Sequence, residues 1–241
     1  MEFYSKTDIG KKRYSNQDAV NGNIISENLA WTVVCDGMGG ASGGDIASTI
    51  AVEKISEIIS KISENISEEN LTNIMKESIQ AANAFVFNKS MKNELLRGMG
   101  TTVVLAVVKN MNLYVMHAGD SRAYIISNEG ISQISVDHSI VQEMINSGEI
   151  TKKEAKNHMQ KNIITRALGI NEVIKFDFNK IPLKYGDVVL VCTDGLSNHL
   201  DDNEIYHIFK NKNFNDVAKS LIDKCNSRGG KDNITVSLIK C

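Results

Sequence analysis

Four aspartates sit where an apolar run and a glycine come together. Val33-Val34-Cys35-Asp36-Gly37 and Val191-Cys192-Thr193-Asp194-Gly195 each release a carboxylate at the end of a strand-like run. Met116-His117-Ala118-Gly119-Asp120 does the same, and Gly229-Gly230-Lys231-Asp232-Asn233 places one just before a run begins. Any one of these reads as an ordinary turn, because Asp and Gly favour turns. Four that abut buried runs ask for more, since an ionised carboxylate at the rim of a core is costly unless paired or metal-bound. The flanking cations are few: Arg122, Lys231 and Arg228. Hard carboxylate oxygens without clustered His or Cys select Mg²⁺ or Mn²⁺ over zinc. Two such ions sharing a carboxylate, about 4 Å apart, suit attack of an activated water on a phosphate. Held by three aspartates they keep a surplus of positive charge, which lowers the pKa of water and attracts a phosphate dianion. Asp36-Gly37-Met38-Gly39-Gly40 lets backbone approach closely enough for a carbonyl to be a ligand. It is not a Walker A loop, because no Gly-Lys-Ser/Thr follows.

Such residues need strands that end together. Leu29 to Cys35 is a short apolar run closed by Asp36-Gly37, the profile of a buried strand. From Asp45 the period turns helical through Ile46, Ile50, Ile55, Ile59 and Ile62. Ser67 can cap a second helix with Glu68 and Glu69 in its first turn and a stripe from Leu71 through Ile79 to Phe85 and Val86. Thr101–Val108, Asn112–His117 and Arg122–Ile126 are separated by short polar turns, so they form antiparallel hairpins. Residues 137–168 break the β pattern, and Thr151 with Glu154 reads as a capping box in an insertion of small helices. Strands are expected again at Ile174–Phe178, Asp187–Cys192 and Asn233–Lys240, with helices at Asp201–Lys210 and Phe214–Asn226 between the last two. Antiparallel strands with helices in separate blocks indicate an α+β fold in a single domain, residues 1–241.

The composition narrows the partners. Lys plus Arg (27) against Asp plus Glu (29) leaves a formal charge of −2, which removes the overall basic surface expected of a nucleic-acid binder. The four cysteines form no C-x-x-C pair, so reduced thiols are expected. No apolar run is long enough for a bilayer, and Met1 to Arg13 lacks a signal-peptide core. These features lead to the expectation of a cytoplasmic protein without membrane partners, and a monomer is expected.

The ordered set Thr7 to Asp18 (with Arg13), Asp36-Gly37-Met38-Gly39-Gly40, Gly98-Met99-Gly100-Thr101-Thr102, Gly119-Asp120-Ser121-Arg122, Thr193-Asp194-Gly195 and Gly230-Lys231-Asp232-Asn233 spans nearly the whole chain. It resembles the bacterial PPM (type 2C) metal-dependent protein phosphatases. The resemblance implies a four-layer α-β-β-α sandwich, two antiparallel sheets each flanked by a helix pair. It also implies hydrolysis of phosphoserine and phosphothreonine in proteins, opposing Ser/Thr kinases, at a centre of two Mn²⁺ or Mg²⁺ ions. On that resemblance Asp36 would bridge both ions, the Gly37 carbonyl would bind one, and Asp194 and Asp232 would hold the other. Asp120 matches a weaker third metal site shared with Asp194. Arg13 would grip the substrate phosphate, its planar fork suiting two phosphoryl oxygens. Asp18 would bind metal-coordinated water, and residues 137–168 correspond to the flap beside the site.

Four positions depart from the family pattern. Gln17 stands where relatives often carry Glu, and Asn198 where others offer an aspartate to the third metal. Met38 and Ala41 occupy positions at which relatives place a His sometimes assigned as general acid. Neither can donate a proton, so the expected mechanism is attack by a bridging water, with the leaving oxygen protonated by another metal-bound water. His138 is expected to be structural, a lone His being a weak catalytic signal. Two other readings exist, a silent scaffold and an enzyme dedicated to one regulator. The first usually loses metal aspartates and the second usually carries sensor or membrane segments, and neither feature is found here.

Overall fold

The computed structural model describes residues 1–241, the side chains of residues 40–42 excepted. The chain opens with β1 (Glu2–Asp8), β2 (Asp18–Ser26) and β3 (Leu29–Met38), followed by α1 (Gly40–Ile59) and α2 (Glu68–Lys92). Next come β4 (Gly100–Thr101), β5 (Val103–Lys109), β6 (Asn112–Ala118), β7 (Arg122–Ile126) and β8 (Ile131–Gln133). Two short helices, α3 (Ile140–Asn146) and α4 (Lys152–Ala155), precede β9 (Asp177–Pro182) and β10 (Val188–Cys192). The chain closes with α5 (Asp194–Ser197), α6 (Asp202–Lys210), α7 (Phe214–Ser227) and β11 (Ile234–Lys240).

Two antiparallel sheets face each other, one ordered β1-β11-β10-β7-β8 and the other β2-β3-β5-β6-β9, with β4 added beside β3. Between them lies a core of small and β-branched side chains, among them Ala30, Val34, Val104, Ala106, Val115, Val189, Val191 and Ile239. The helix pair α1 and α2 covers the outer face of the second sheet through Ile55, Ile59, Leu71, Met75 and Ile79. Helices α6 and α7 cover the first through Ile205, Val217, Leu221 and Ile222. The result is the expected four-layer α+β sandwich. Apolar residues on both faces of the central strands explain their near-continuous hydrophobic runs.

The local signals that set the helices are those read from the chain. The Ser67 side chain accepts from Asn70 N, and Thr151 with Glu154 and Asp201 with Glu204 form complete capping boxes. Three expectations need correction. The strand placed at Ile174–Phe178 begins at Asp177, because its register is dictated by β6, from His117 opposite Asp177 to Asn112 opposite Pro182. Ile174 and Phe176 look strand-like but pack against the core beneath α2. Helix α1 begins at Gly40 rather than Asp45. The low helix propensity of its first glycines is overridden by close packing, since a Cβ on Gly44 would stand 2.7 Å from the Gly37 carbonyl carbon. Finally, Phe85 is not core; it is 53% exposed, with Lys54 Nζ 4.5 Å from its ring centroid. Strands β1 and β2 were not anticipated. No helix among the described residues is long and apolar enough to cross a membrane.

Candidate active site

The site forms at the seam where strands of both sheets end. Asp36 lies near the end of β3, directly across from Asp18 at the start of β2. Residues facing each other across neighbouring strands project to the same side, so the register alone sets these two carboxylates together. Asp194 begins α5 just after β10, Asp232 precedes β11, and Asp120 sits in the turn between β6 and β7. Asp36, Gly37, Asp120, Asp194, Asp232 and Arg13 all line one cleft of about 720 Å³. Met38 and Gln17 line it too, whereas the Ala41 side chain lies outside the described residues.

Backbone hydrogen bonds hold these groups in place. The Thr102 hydroxyl accepts from Asp36 N at 2.9 Å, while Thr102 N and the Thr101 hydroxyl both donate to Asp36 O at 2.8 Å. Thr102 Oγ1 in turn lies 2.7 Å from Ser121 Oγ, joining the Asp36 strand to the Asp120 turn. Asn233 clamps the loop that carries Arg13. Its Oδ1 accepts from Gln17 N at 2.9 Å and its Nδ2 donates to Ile9 O and Ser15 O at 3.0 Å. In the same loop Gly10 has φ +77°, and a Cβ there would fall 2.2 Å from Asp232 O. Lys11 N donates to Gly230 O across this contact at 2.7 Å.

The electrostatics are those of crowded acids. Burial and the neighbouring aspartates push the carboxyls of Asp36 and Asp194 above their ordinary range. Asp120 is pushed up to about 8 and Asp18 to about 7, in each case chiefly by burial and then by other aspartates, with only partial relief from hydrogen bonds. Asp194 and Asp36 are close enough to share a hydrogen bond. The Thr235 and Thr193 hydroxyls donate to Asp18 Oδ2 at 2.7 and 2.9 Å, yet Asp18 Oδ1 is buried with no partner. Asn198 Nδ2 donates to Asp194 Oδ2 at 2.9 Å. Of the expected cations, Arg122 eases the carboxyls of Asp120 and Asp194 from a distance, but it grips Asp137 and Arg228 grips Glu204, so neither pairs with the cluster. Arg13 does: its Nη2 and Nε lie 2.8 Å from the two oxygens of Asp232.

A histidine pair lies apart from the cleft. His138 Nδ1 accepts from Gly119 N at 3.2 Å, and its Nε2 is 3.3 Å from Asp177 Oδ2. The ligand atoms of His117, His138 and Asp177 fall within 4.8 Å of one another. The two rings are nevertheless stacked within 3° of parallel, so their in-plane lone pairs do not converge on one ion. Arg166 also supplies the cation, with Nη1 2.7 Å from Asp177 Oδ1.

The matching family model, protein phosphatase 2C, covers residues 10–236. The chain belongs to the protein phosphatase 2C family. It is 37% identical over 243 residues to the serine/threonine phosphatase stp of Listeria monocytogenes serotype 4b, covering 100% of this chain and 96% of that protein. The solved structure of serine/threonine phosphatase Stp1 from Staphylococcus aureus is similar with a TM-score of 0.93 at 32% identity, covering 100% of this chain and 94% of that one. The catalytic domain of the phosphatase PstP, solved in complex with two manganese ions, is similar with a TM-score of 0.85 at 28% identity over 98% of this chain and 96% of that one. As a type 2C phosphatase, the chain is a metal-dependent serine/threonine protein phosphatase. Sequence reasoning found the carboxylates but gave no role to Thr102, Thr193, Thr235 or Asn233. Thr102, Thr193 and Asn233 were visible in the motifs, but their work is contact with residues far along the chain.

Proposed function

We propose that the cleft is a two-metal phosphoester hydrolase site in which Asp36, the Gly37 carbonyl, Asp194 and Asp232 hold two divalent cations, Mn²⁺ or Mg²⁺. Asp120 offers a weaker third position shared with Asp194. The observation that carries this reading is the convergence of Asp36, Asp120, Asp194 and Asp232 on one cleft, where burial and then mutual repulsion raise Asp36 and Asp194, beside a buried Asp18 oxygen without a donor. Buried charge of one sign without partners is unstable, and cations with their waters are what this donor set fits. When bound, the ions supply an activated water at neutral pH and neutralise charge on a phosphoryl group.

The chain's own residues do the rest. Arg13, half-exposed and held by one side of its fork to Asp232, can present its remaining N–H groups to phosphoryl oxygens. Asp18 Oδ1 orients a donor from the cleft, its other oxygen being fixed by Thr193 and Thr235. No His lines this cleft among the described residues and Met38 offers no proton, which favours a water held in the site as the proton donor to the leaving Ser or Thr oxygen. The chain acts as one catalytic domain, with residues 137–168 as the flap over the site. We read it as a cytoplasmic monomer whose substrates are proteins phosphorylated by Ser/Thr kinases.

The test is phosphate release from a phosphothreonine peptide with and without Mn²⁺, in the wild type and in Asp194→Ala. Metal-dependent turnover is expected, with a loss of at least about 100-fold in the variant, the scale on which removing one key electrostatic group acts. Unchanged metal-dependent turnover in Asp194→Ala overturns the ligand assignment.

A further inference from the structure

The catalytic cleft does not end at the carboxylates. Asp120 and Asp194 also border a second depression of about 820 Å³, so the two adjoin. One wall of this groove is the segment 152–161, which presents Lys152, Lys153, Lys156 and Lys161, all exposed. The facing wall, from Asn198 to Glu204, is acidic in sequence but largely committed in structure. Glu204 is held by Arg228, Asp201 caps α6 by accepting from Glu204 N at 2.9 Å, and Asp137 is gripped by Arg122. Asp120 and Asp194 belong to the metal cluster. Only Asp202 is left without a fixed partner among the acids of the groove, counting the described residues.

The lysines are in the opposite position. Among the described residues none of the four makes an ion pair or a side-chain hydrogen bond. Glu154, the acid between them in sequence, is occupied by the Thr151 backbone N–H and hydroxyl at 2.8 and 2.7 Å. A groove that borders the phosphate site, with four unpaired ammonium groups on one wall and, on the other, Glu204 paired, Asp201 committed to a helix cap and Asp202 alone without a partner, offers its lysine wall to negative charge.

We propose that this groove binds the polypeptide flanking the phosphoresidue, and that Lys152, Lys153, Lys156 and Lys161 select segments rich in Asp and Glu. The proposal rests on the two-metal reading of the cleft, because it takes the phosphoresidue to lie at Arg13. Selection acts through KM, since the lysines touch the flanking chain and not the reacting phosphate.

The experiment compares phosphothreonine peptides with three Glu, three Gln or three Lys on either side of the phosphoresidue, with p-nitrophenyl phosphate as a substrate that has no flanking chain. The wild type is expected to favour the Glu peptide over the Lys peptide by about tenfold in kcat/KM, as a few screened surface pairs would give. The preference should shrink as ionic strength rises. The variant Lys152→Glu/Lys153→Glu/Lys156→Glu is expected to lose or reverse the preference while keeping p-nitrophenyl phosphate turnover. The milder Lys→Gln set is expected to abolish it, which guards against a folding defect in the reversal. Equal rates on all three peptides, a preference for Lys, or a Glu preference that survives both variants overturns the proposal. Absent p-nitrophenyl phosphate turnover in the wild type would instead overturn the reading of the cleft itself.

Discussion

At Asn233 one side chain does the work of a small scaffold. It is buried, and its three hydrogen bonds tie Gln17, Ile9 and Ser15, the two sides of the loop that carries Arg13, to the strand end that carries Asp232. Replacing it with Ala leaves one N–H and two carbonyls at part-buried contacts without their partner, a cost of about 2 kcal/mol. Asn233→Ala is therefore expected to lower stability by that amount in a denaturant melt. The loosened Arg13 loop should raise KM for a phosphopeptide several-fold more than it lowers kcat. Asn233→Asp, which keeps the acceptor for Gln17 N but loses both donors, should fall between. A stability loss with unchanged KM would confine Asn233 to the fold. Thr193 and Thr235 are similar in kind: hydroxyls that fix one oxygen of Asp18 and leave the other buried without a partner.

Among the elements, the segment from His138 onward is sewn to the Asp120 turn. His138 N donates to Gly119 O at 2.9 Å, and Gly119 N returns the bond to the His138 ring at 3.2 Å. Thr165 N donates to His138 O at 2.8 Å, so both ends of the proposed flap meet there. The ring nitrogen that accepts must be unprotonated, and burial pushes the His138 pKa down, which keeps it so. Because the folded value lies below the unfolded one, this group favours unfolding only as pH falls below about 6.5, where the unfolded imidazole takes up its proton. His138→Ala is expected to cost about 2 kcal/mol, or about 4–8 °C in Tm. Turnover measured below that Tm should persist, because the ring does not line the cleft. Complete loss of turnover in a folded, metal-loaded variant would give the histidine a chemical role. This element also marks what the chain could and could not reveal. The strand-end aspartates, the capping boxes at Thr151 and Asp201, and the helix stripes were legible because each depends on neighbours within a few residues. Strands β1 and β2 were not, because both lie at sheet edges with mostly half-buried residues and little alternation. The shift of β9 and the His138 clamp were hidden for a related reason, each being set by partners in other strands.

For the whole molecule, a formal charge of −2 conceals where its acids are placed. Asp18, Asp36, Asp120 and Asp194 all have carboxyls raised above their ordinary values by burial and mutual repulsion, Asp18 to about 7 and Asp120 to about 8. A carboxyl raised in the folded state keeps its proton there after the unfolded chain has lost it. Between the ordinary value of about 4 and the raised ones the folded state binds more protons, so raising pH removes stability. The metal-free protein should therefore melt lower at pH 8 than at pH 5. A net loss of about 2 kcal/mol would lower Tm by about 4–8 °C in a domain of this size. Divalent cations bind the ionised cluster and should cancel that slope. Mn²⁺ at about 100 times its Kd adds about 2.7 kcal/mol through mass action, and should do so at pH 8 far more than at pH 5. Calorimetry or dye-monitored melting of chelator-stripped protein across that range, with and without Mn²⁺, needs no substrate and reads the cluster directly. In Asp36→Asn, which removes the carboxylate proposed to bridge the ions, the metal-free protein should be more stable at pH 8 and gain little from Mn²⁺. A metal-free melting temperature that is flat with pH and unmoved by Mn²⁺ or Mg²⁺ would mean that these carboxylates meet for some purpose other than holding cations.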